Sequence, residues 1–396
     1  MTTVALNRDT QPMARIDMID SLRGFALMGL FLVHACEYFE LYWLHPPAHN
    51  AIHEWVFGLF AGKAFAMFAL LFGLSFFIIM DRAAQKGIDF SGRFIWRLVV
   101  LGGIGFFHTL FYGGDILQVL ALCGLCLIFV NKLSAKWLVP LAVICLAEPV
   151  LIYQFVHMLH DPAANINPLS WQYPALEVYA HGTLWQLFQV NLVPSNKWEF
   201  MWEAGRIFQI LGLFLCGLML GRIGFFKAPQ NFVISRRIGF LLALSVAVGL
   251  HFAKPWIAAQ WPGDQAHHVV AWARDGLFDS YQNLAAMTLW VLGLIELYQI
   301  KPFQSVLQLL APAGRMTLSF YVMQAVICVP LYYGFGLSWY EHIGQFRALL
   351  FGMGFFTAQL ICAHLWFKRF YYGPLEWLWR ALTYLSFKVP FVRKGA

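Results

Sequence analysis

Long apolar runs separated by short polar stretches dominate this chain from one end to the other. Many of the runs approach or exceed the ~20 residues that an α-helix needs to cross the hydrocarbon of a bilayer. They predict about ten transmembrane helices, at roughly 21–43, 55–80, 94–112, 115–131, 136–156, 204–222, 237–253, 281–299, 315–335 and 346–367. The pattern therefore predicts an all-α, polytopic membrane protein.

Composition supports this class and excludes others. The chain is 60% hydrophobic and only 12% charged, which is more apolar surface than one soluble core can use. Its seven cysteines lie mostly inside apolar runs without metal-binding spacing, so we interpret them as small core residues and predict no metal site. The formal net charge of +7 is explained by cytoplasmic loops, and no DNA- or RNA-binding signature accompanies it. Nucleic acid is therefore not expected as a partner.

Lysine and arginine collect in alternate loops, which predicts the orientation of the chain. Basic residues are frequent before the first span and after the second, fourth, sixth, eighth and tenth, and they are sparse in the other loops. Both termini are therefore expected on the cytoplasmic side, with a short tail at 1–15 and a longer one at about 368–396. The connection at about 157–203 is rich in Trp and Tyr and is expected to be an outward-side, interfacial segment. We treat 1–396 as a single membrane-embedded domain, inserted by its first span rather than by a cleaved signal peptide.

Two arginine-to-histidine pairs lie within predicted spans. Arg23 and His34 are eleven positions apart, as are Arg97 and His108. This spacing is about three helical turns, so each pair shares one face at a separation of roughly 16 Å. An ionisable group inside a membrane span is a functional-site hypothesis by default. The structural alternative is a positive-inside anchor for Arg23 and a plain interhelical contact for each histidine.

Further polar residues are expected at the depth of the two histidines, in the outward half of the bilayer. Glu37 follows His34 by one turn and is placed to orient or charge its imidazole. Asp115 follows the turn after His108, where it fits a helix N-cap as well as a catalytic role. The remaining members of this expected group are Lys63, which also fits a snorkelling side chain, Arg206 and Gln209.

Five segments carry a resemblance to a known family. They read, in order, SLRGFALMGLFLVH, FALLFGLSFFI, RFIWRLVVLGGIGFFHTLFYGGDIL, APAGRMTLSFYVMQAVI and FYYGPLEWLWRALTY. Together they resemble the YeiB-like family of bacterial inner-membrane proteins over about residues 16–384. Many members of that family carry Asn where this chain has His34, whereas His108 and Asp115 match the family pattern.

The YeiB-like family is itself similar to a wider group of transmembrane acyltransferases, which includes polysaccharide O-acetylating enzymes and the lysosomal glucosaminide N-acetyltransferase. The polysaccharide O-acetylating enzymes are marked by an arginine in the first span that is followed by ten residues and then a histidine. Arg23 and His34 reproduce this spacing. The resemblance implies a ten-helix core in the bacterial inner membrane. It implies that this core moves an acyl group from cytoplasmic acyl-CoA to a small-molecule or glycan acceptor outside. Membrane lipids, and a second copy of the chain in a homodimer, complete the expected partners.

Acyl transfer from a thioester to a hydroxyl needs a base, a donor for the oxyanion and the exclusion of water. We expect His34, His108, Asp115 and Glu37 to provide the catalytic groups, because a neutral histidine suits the role of base. Arg23, Arg97 and Arg315 stand at the predicted cytoplasmic ends of spans, where they would bind the phosphates of CoA.

Two other classes of function stay open at this stage. In a small-molecule transporter, the same buried polar residues would form a proton relay or a substrate path. The sequence shows no inverted repeat and no matched pair of broken helices, which are the usual signs of a transporter. In a non-catalytic lipid- or quinone-binding protein, the aromatic outward loop would be the binding surface.

Overall fold

The computed structural model describes residues 16–44, 50–161, 172–260 and 268–393. Across these ranges the chain is helical, and its one β feature is an isolated antiparallel bridge between Phe370 and Val392. The prediction of an all-α protein is confirmed. The α-helices are α1 Asp17–His34, α2 Ala51–Phe60, α3 Lys63–Ala84, α4 Ser91–Phe111, α5 Leu117–Val130, α6 Ala135–Leu146, α7 Pro149–His160, α8 Gln172–His181, α9 Leu184–Asn191, α10 Pro194–Glu203, α11 Arg206–Arg222, α12 Val233–Gln260, α13 His268–Tyr298, α14 Lys301–Gln308, α15 Ala311–Arg315, α16 Thr317–Tyr332, α17 Gly344–Arg369 and α18 Pro374–Tyr384.

The helices that fit a membrane span by length and composition fall into three groups. Five qualify directly in the described part of the chain: Asp17–Leu44, Ala51–Ala84, Ser91–Phe111, Pro229–Gln260 and Gly344–Arg369. Three bent helix pairs raise this number to eight if each pair is one span. Two further predicted spans correspond to the shorter apolar helices α5 and α16. The polytopic membrane class is confirmed, and the count of ten stays a prediction.

Broken helices are present, which the sequence did not indicate. The α6–α7 pair bends by 42°, the α10–α11 pair by 68° and the α13–α14 pair by 115°. At the first break Glu148 has a φ of 57° immediately before Pro149, and at the second Gly205 has a φ of 68°. Both are left-handed conformations that end regular hydrogen bonding, and one of them is held by a residue other than glycine. The absence of broken helices therefore no longer argues against a transporter.

Helix α1 lies at the centre of the bundle and α12 at its periphery. Most α1 residues are buried, and α1 packs against α3 and α15. Gly314 of α15 lies so close to the backbone oxygen of Asp20 that a Cβ there would overlap it. By contrast, α12 exposes a row of large apolar side chains, among them Leu241, Leu242 and Phe252. Such an exposed apolar face fits contact with lipid rather than with water.

Helices α3 and α11 form the closest long seam. An added Cβ at Gly73 of α3 would meet the backbone oxygen of Phe214, and one at Gly217 of α11 would meet the backbone oxygen of Leu70. Small residues at such positions allow two backbones to approach closely, which is how helices associate in lipid. The seam fixes α3, which lines the candidate site described below.

The connection predicted as an interfacial segment contains three short helices, α8 to α10, in its described part. Asn191 at the end of α9 accepts a hydrogen bond from the Tyr179 hydroxyl at 2.7 Å and donates one to the backbone oxygen of Leu110 at 3.1 Å. Both side chains also lie against Gly113, in the turn between α4 and α5. This segment therefore packs over the turn that carries Asp115.

Candidate functional site

His108 and Asp115 form a buried pair at the junction of α4 and α5. His108 lies in the last turn of α4, and the GGD turn returns the chain so that Asp115 faces it. The Nδ1 atom of His108 is 2.8 Å from Oδ1 of Asp115, and the two side chains are shielded from solvent. The same Oδ1 accepts a hydrogen bond from the backbone N–H of Leu117 at 3.2 Å. The N-cap position of α5 is Ile116, but Asp115 satisfies the first backbone donor of the helix from the residue before it and also orients the imidazole.

The second oxygen of Asp115 faces a lysine that sequence analysis did not select. Lys197 of α10 donates to Oδ2 at 3.2 Å, and the Thr109 hydroxyl donates to the same atom at 3.3 Å. Lys197 also donates to the Thr109 oxygen at 3.3 Å, and Gln118 donates to that oxygen at 3.0 Å. A buried carboxylate needs such compensation for its charge. Lys197 provides it from the segment that packs over the GGD turn.

His34 lies beside this pair, in a cluster of aromatic rings. Its ring centroid is 5.1 Å from that of Tyr112 and 6.3 Å from that of Tyr321. The ring of His108 approaches the same two tyrosines, at 5.8 Å and 4.8 Å. The Nε2 atom of His108 is buried and has no hydrogen-bond partner within the described part of the chain. With Nδ1 held by Asp115, the tautomer we assign leaves a lone pair on Nε2, which suits a general base.

Glu37 and Lys63 have partners elsewhere. The chain beyond His34 continues as a π-helix over Ala35–Phe39, so the three-residue spacing no longer keeps Glu37 on the α-helical face of the histidine. Instead, Oε1 of Glu37 accepts a hydrogen bond from the Trp43 indole at 2.9 Å. Nζ of Lys63 donates to the backbone oxygen of Phe57 at 3.1 Å. The carboxylate that orients an imidazole here is Asp115, not Glu37.

Arg206 and Gln209 belong to a second polar network, between α11, α13 and the α6–α7 break. Arg206 donates to Oε1 of Gln209 at 2.9 Å, and Gln209 donates to the Ser280 hydroxyl at 2.9 Å. Ser280 in turn donates to Oε1 of Glu148 at 2.5 Å. Glu148 and Ser280 were not selected from the sequence, because only the three-dimensional packing of two helix breaks brings them to Gln209.

The three predicted CoA-binding arginines all line one cavity. The cavity has a volume of about 340 Å³, within the range of small-molecule sites, and runs along α3. We call its lower part the charged half, where the lining includes Arg23, Arg82, Arg97, Arg315, Arg380 and Glu376. Together with Asp20, this half carries five arginines and two carboxylates. An excess of guanidinium groups is suited to phosphate binding.

Aromatic rings and short polar contacts hold these arginines. The Arg97 guanidinium lies 3.6 Å from the ring centroid of Trp379, whose indole donates to the backbone oxygen of Arg97 at 2.8 Å. The Arg315 guanidinium lies 3.8 Å from the ring of Phe367. Arg23 donates to Asp20 at 2.9 Å and to the Ser75 hydroxyl at 2.6 Å. These contacts therefore fix the positions of the three guanidinium groups in the charged half.

The closing GPLEW segment and the GRM segment meet at the same end of the cavity. Glu376 of α18 accepts from the Ser319 hydroxyl at 2.5 Å and from the Ser319 backbone N–H at 3.1 Å, near the first turn of α16. A carboxylate there satisfies a backbone donor that a helix start leaves free. Two of the segments that carry the family resemblance thus build the lining of this cavity.

The upper part of the cavity, which we call the apolar half, is lined by Leu30, Phe65, Phe68, Phe72, Leu117 and Tyr321 together with other apolar side chains. Leu117 follows Asp115 by two residues, and the Tyr321 ring contacts the ring of His108. The cavity therefore connects the arginines to the neighbourhood of the His108–Asp115 pair.

The fold defines a class: an all-helical polytopic membrane protein, here with a buried histidine–aspartate pair beside an arginine-lined cavity. Comparison with family models agrees. The model described as heparan-alpha-glucosaminide N-acetyltransferase, catalytic, matches residues 15–234, and the model described as protein of unknown function DUF418 matches residues 220–386. Because the first match covers more than half of the chain, the chain belongs to this acyltransferase family.

The regions of similarity to two other bacterial proteins extend over nearly the full length of this chain. The uncharacterized protein YeiB of Escherichia coli (strain K12) is 29% identical, over 94% of this chain and 97% of its own length. The uncharacterized protein YxaH of Bacillus subtilis (strain 168) is 26% identical, over 96% of each. No solved structure matches the chain. The resemblance to the YeiB-like family and its relation to transmembrane acyltransferases are confirmed.

Proposed function

We propose that this protein transfers an acyl group from acyl-CoA to a small-molecule or glycan acceptor. The observation that carries the proposal is the cavity, which has an excess of arginines at one end and reaches Tyr321, a neighbour of His108, at the other. Arg23, Arg97 and Arg315 would hold the phosphates of CoA, with Arg82 and Arg380 at the same end. The thioester would then lie near His108 and His34.

The chemistry follows from the residues at that upper end. The acceptor hydroxyl or amine attacks the thioester carbon while Nε2 of His108 takes its proton. Asp115 keeps the imidazole in the tautomer that can accept this proton, and Lys197 compensates the charge of Asp115. The Tyr321 hydroxyl is the polar group of the apolar half that can donate to the oxyanion. Collapse of the adduct breaks the C–S bond, and the CoA sulfur receives the proton from His108.

We further propose a bacterial inner-membrane location with both termini in the cytoplasm, and acyl transfer from the cytoplasmic to the outer side. The alternation of basic loops supports this orientation. The charged half lies at the Arg82 end of α3, next to the basic connection before α4, as a donor from the cytoplasm requires. Membrane lipids surround the exposed apolar faces, and a homodimer is the assembly we propose.

The test uses the full-length protein in proteoliposomes that enclose glucosamine, a probe chosen because the matched family model is described by a glucosaminide. Radiolabelled acetyl-CoA is added outside, and acylated glucosamine inside is measured. We expect label on the enclosed amine that depends on His108, with free CoA left outside. Lack of both CoA binding and label transfer would overturn the proposal.

A transporter is the second candidate, and the helix breaks favour it. The α6–α7 and α10–α11 breaks lie next to the polar network of Glu148, Ser280, Gln209 and Arg206, and polar breaks are typical of transport sites. The same proteoliposomes separate the two functions. Intact acetyl-CoA inside the vesicles would indicate transport, whereas acylated glucosamine without internal CoA would indicate group transfer.

A further inference from the structure

The charged half of the cavity continues beyond the contact between α1 and α3. Arg23 donates to the Ser75 hydroxyl at 2.6 Å, so these two residues lie at similar levels in the bundle. On α3 the lining continues from Ser75 to Arg82. On α1 it continues from Arg23 to Ile16. Because each of these stretches is seven residues long, the lining extends about 10 Å past Arg23, away from the apolar half. We call this stretch the outer end of the cavity.

An arginine of α18 lies at the same outer end as Arg82. The Arg380 guanidinium lies 5.1 Å from the ring centroid of Tyr372, which also lines the cavity, and 5.7 Å from that of Tyr384. The Tyr384 ring is 6.2 Å from the ring of Phe90, in the connection between α3 and α4. Arg82 lies in the last turn of α3, from which that connection starts. We call Arg82 and Arg380 the outer arginines. The inner arginines are Arg23, Arg97 and Arg315.

The inner and outer arginines differ in the compensation of their charge. Arg23 is paired with Asp20 at 2.9 Å. The Glu376 carboxylate is held by Ser319, four residues after Arg315. Both carboxylates of the charged half therefore lie among the inner arginines. Neither outer arginine forms an ion pair within the described part of the chain. Two guanidinium groups without counter-charge at one end of a cavity favour the binding of a second anionic group there.

We propose that the outer arginines bind the 3′-phosphate of CoA while the inner arginines bind its diphosphate, so that the protein selects donors that carry this additional phosphomonoester. This inference rests on the proposed function and specifies its donor. The pantetheine arm joins the diphosphate to the thioester. With the thioester near His108, the ~16 Å between Arg97 and His108 places the diphosphate at the inner arginines.

The nucleotide continues from the diphosphate on the side opposite to the pantetheine arm. Its ribose and 3′-phosphate therefore enter the outer end, which provides about 10 Å of length for them. A phosphomonoester carries about two negative charges at pH 7. The two outer guanidinium groups match this charge, and each of them can donate two parallel hydrogen bonds to phosphate oxygens.

The experiment compares CoA with 3′-dephospho-CoA, which lacks only the phosphomonoester. Dissociation constants are measured by calorimetry on the full-length protein in nanodiscs of phosphatidylcholine, a lipid without net charge. The wild-type protein should bind CoA at least about tenfold more tightly, because a hydrogen bond to a charged group changes affinity by this factor or more. The double variant Arg82→Gln with Arg380→Gln should bind CoA only as tightly as 3′-dephospho-CoA.

The affinity of the double variant for 3′-dephospho-CoA should change by less than about twofold, because salt screens charges that lie about 10 Å from the diphosphate. This retained binding also shows that the variant is folded. Arg97→Ala should weaken both ligands by the same factor, since both carry the diphosphate. Arg237→Gln is the matched control, because Arg237 of α12 is exposed and does not line the cavity in the described structure. It should leave both affinities unchanged.

Three outcomes would contradict these expectations. Equal affinities of the wild-type protein for the two ligands would overturn this inference and leave the proposed function standing. An equal loss of both ligands in the double variant and in the single variants Arg82→Gln and Arg380→Gln would also overturn it, because the outer arginines would then act on the part that the two ligands share. Failure of both ligands to bind the wild-type protein would overturn the proposed function itself.

Discussion

Replacement of Asp115 by asparagine tests the centre of the site, because it removes a charge with little change in shape. Both carboxylate oxygens accept hydrogen bonds: Oδ1 faces His108 and the Leu117 backbone N–H, and Oδ2 faces Lys197 and Thr109. An asparagine has one acceptor oxygen and one donor group, so one of these two donor sets must face its NH₂. The ammonium of Lys197, whose side chain is 11% exposed, would lose its counter-charge.

The expected loss of stability follows from the ammonium of Lys197, which is left without a counter-charge. Removal of one partner of a buried ion pair costs about 3–5 kcal/mol, and the slight exposure of Lys197 places the expected loss near 3 kcal/mol. For a chain of this size the apparent Tm should fall by roughly 4 °C. Turnover should fall by about 10²–10⁴-fold, because the imidazole loses the group that holds it as a base.

The double variant Asp115→Asn with Lys197→Met separates the two effects. Methionine removes the unpaired ammonium, so most of the lost stability should return while turnover stays low. Apparent Tm is measured by thermal unfolding in detergent, and turnover by release of CoA thiol from acyl-CoA with glucosamine present. An unchanged Tm in the single variant, or recovery of turnover in the double variant, would refute this account of the Lys197–Asp115–His108 chain.

Four further predictions concern the base, the donor site, the helix seam and the topology. His108→Ala should lower acyl transfer by at least about 10²-fold while calorimetry shows CoA affinity nearly unchanged, and a parallel loss of binding would contradict its role as a base. Arg97→Ala should weaken CoA binding by about tenfold, and Arg97→Lys by less, since lysine keeps the charge; equal affinities in all three proteins would exclude Arg97 from the phosphate site. Gly217→Ala should lower Tm because the new Cβ overlaps the α3 backbone, by about 1–3 kcal/mol of stability, whereas Gly249→Ala, with open space around it, should not. Reporter fusions after Ala396 and within 172–203 should report opposite compartments, and the same compartment for both would contradict the predicted topology.

The parts of this structure that local sequence determines could be predicted. Apolar runs predicted the helical membrane class, and the short GGD turn places His108 and Asp115 on adjoining helix ends, so their contact follows from seven residues of chain. The three arginines chosen from the sequence line one cavity for a similar reason, because each stands near the start of a predicted span that begins on the cytoplasmic side in the predicted topology.

The parts that depend on distant packing could not be predicted. Lys197 is 82 positions from Asp115, and no spacing rule links the two residues. Glu37 was assigned by α-helical periodicity, which fails where the chain forms a π-helix at Ala35–Phe39. The break at Glu148 has a local signal in Pro149, which disfavours a helical conformation of the residue before it, but this signal does not specify the left-handed conformation that Glu148 adopts.

The cavity ends at Tyr321 and Leu30 below a layer of aromatic rings, in which Phe39 and Tyr112 pack around His34. That layer has a consequence for the energy supply of the cell. An open pore through the protein would dissipate ion gradients, and each elementary charge that leaked across 100 mV would waste about 2.3 kcal/mol. In the proposed acyl transfer, this stack of rings would keep the bilayer electrically insulating, so that a small group crosses while protons and salts are retained.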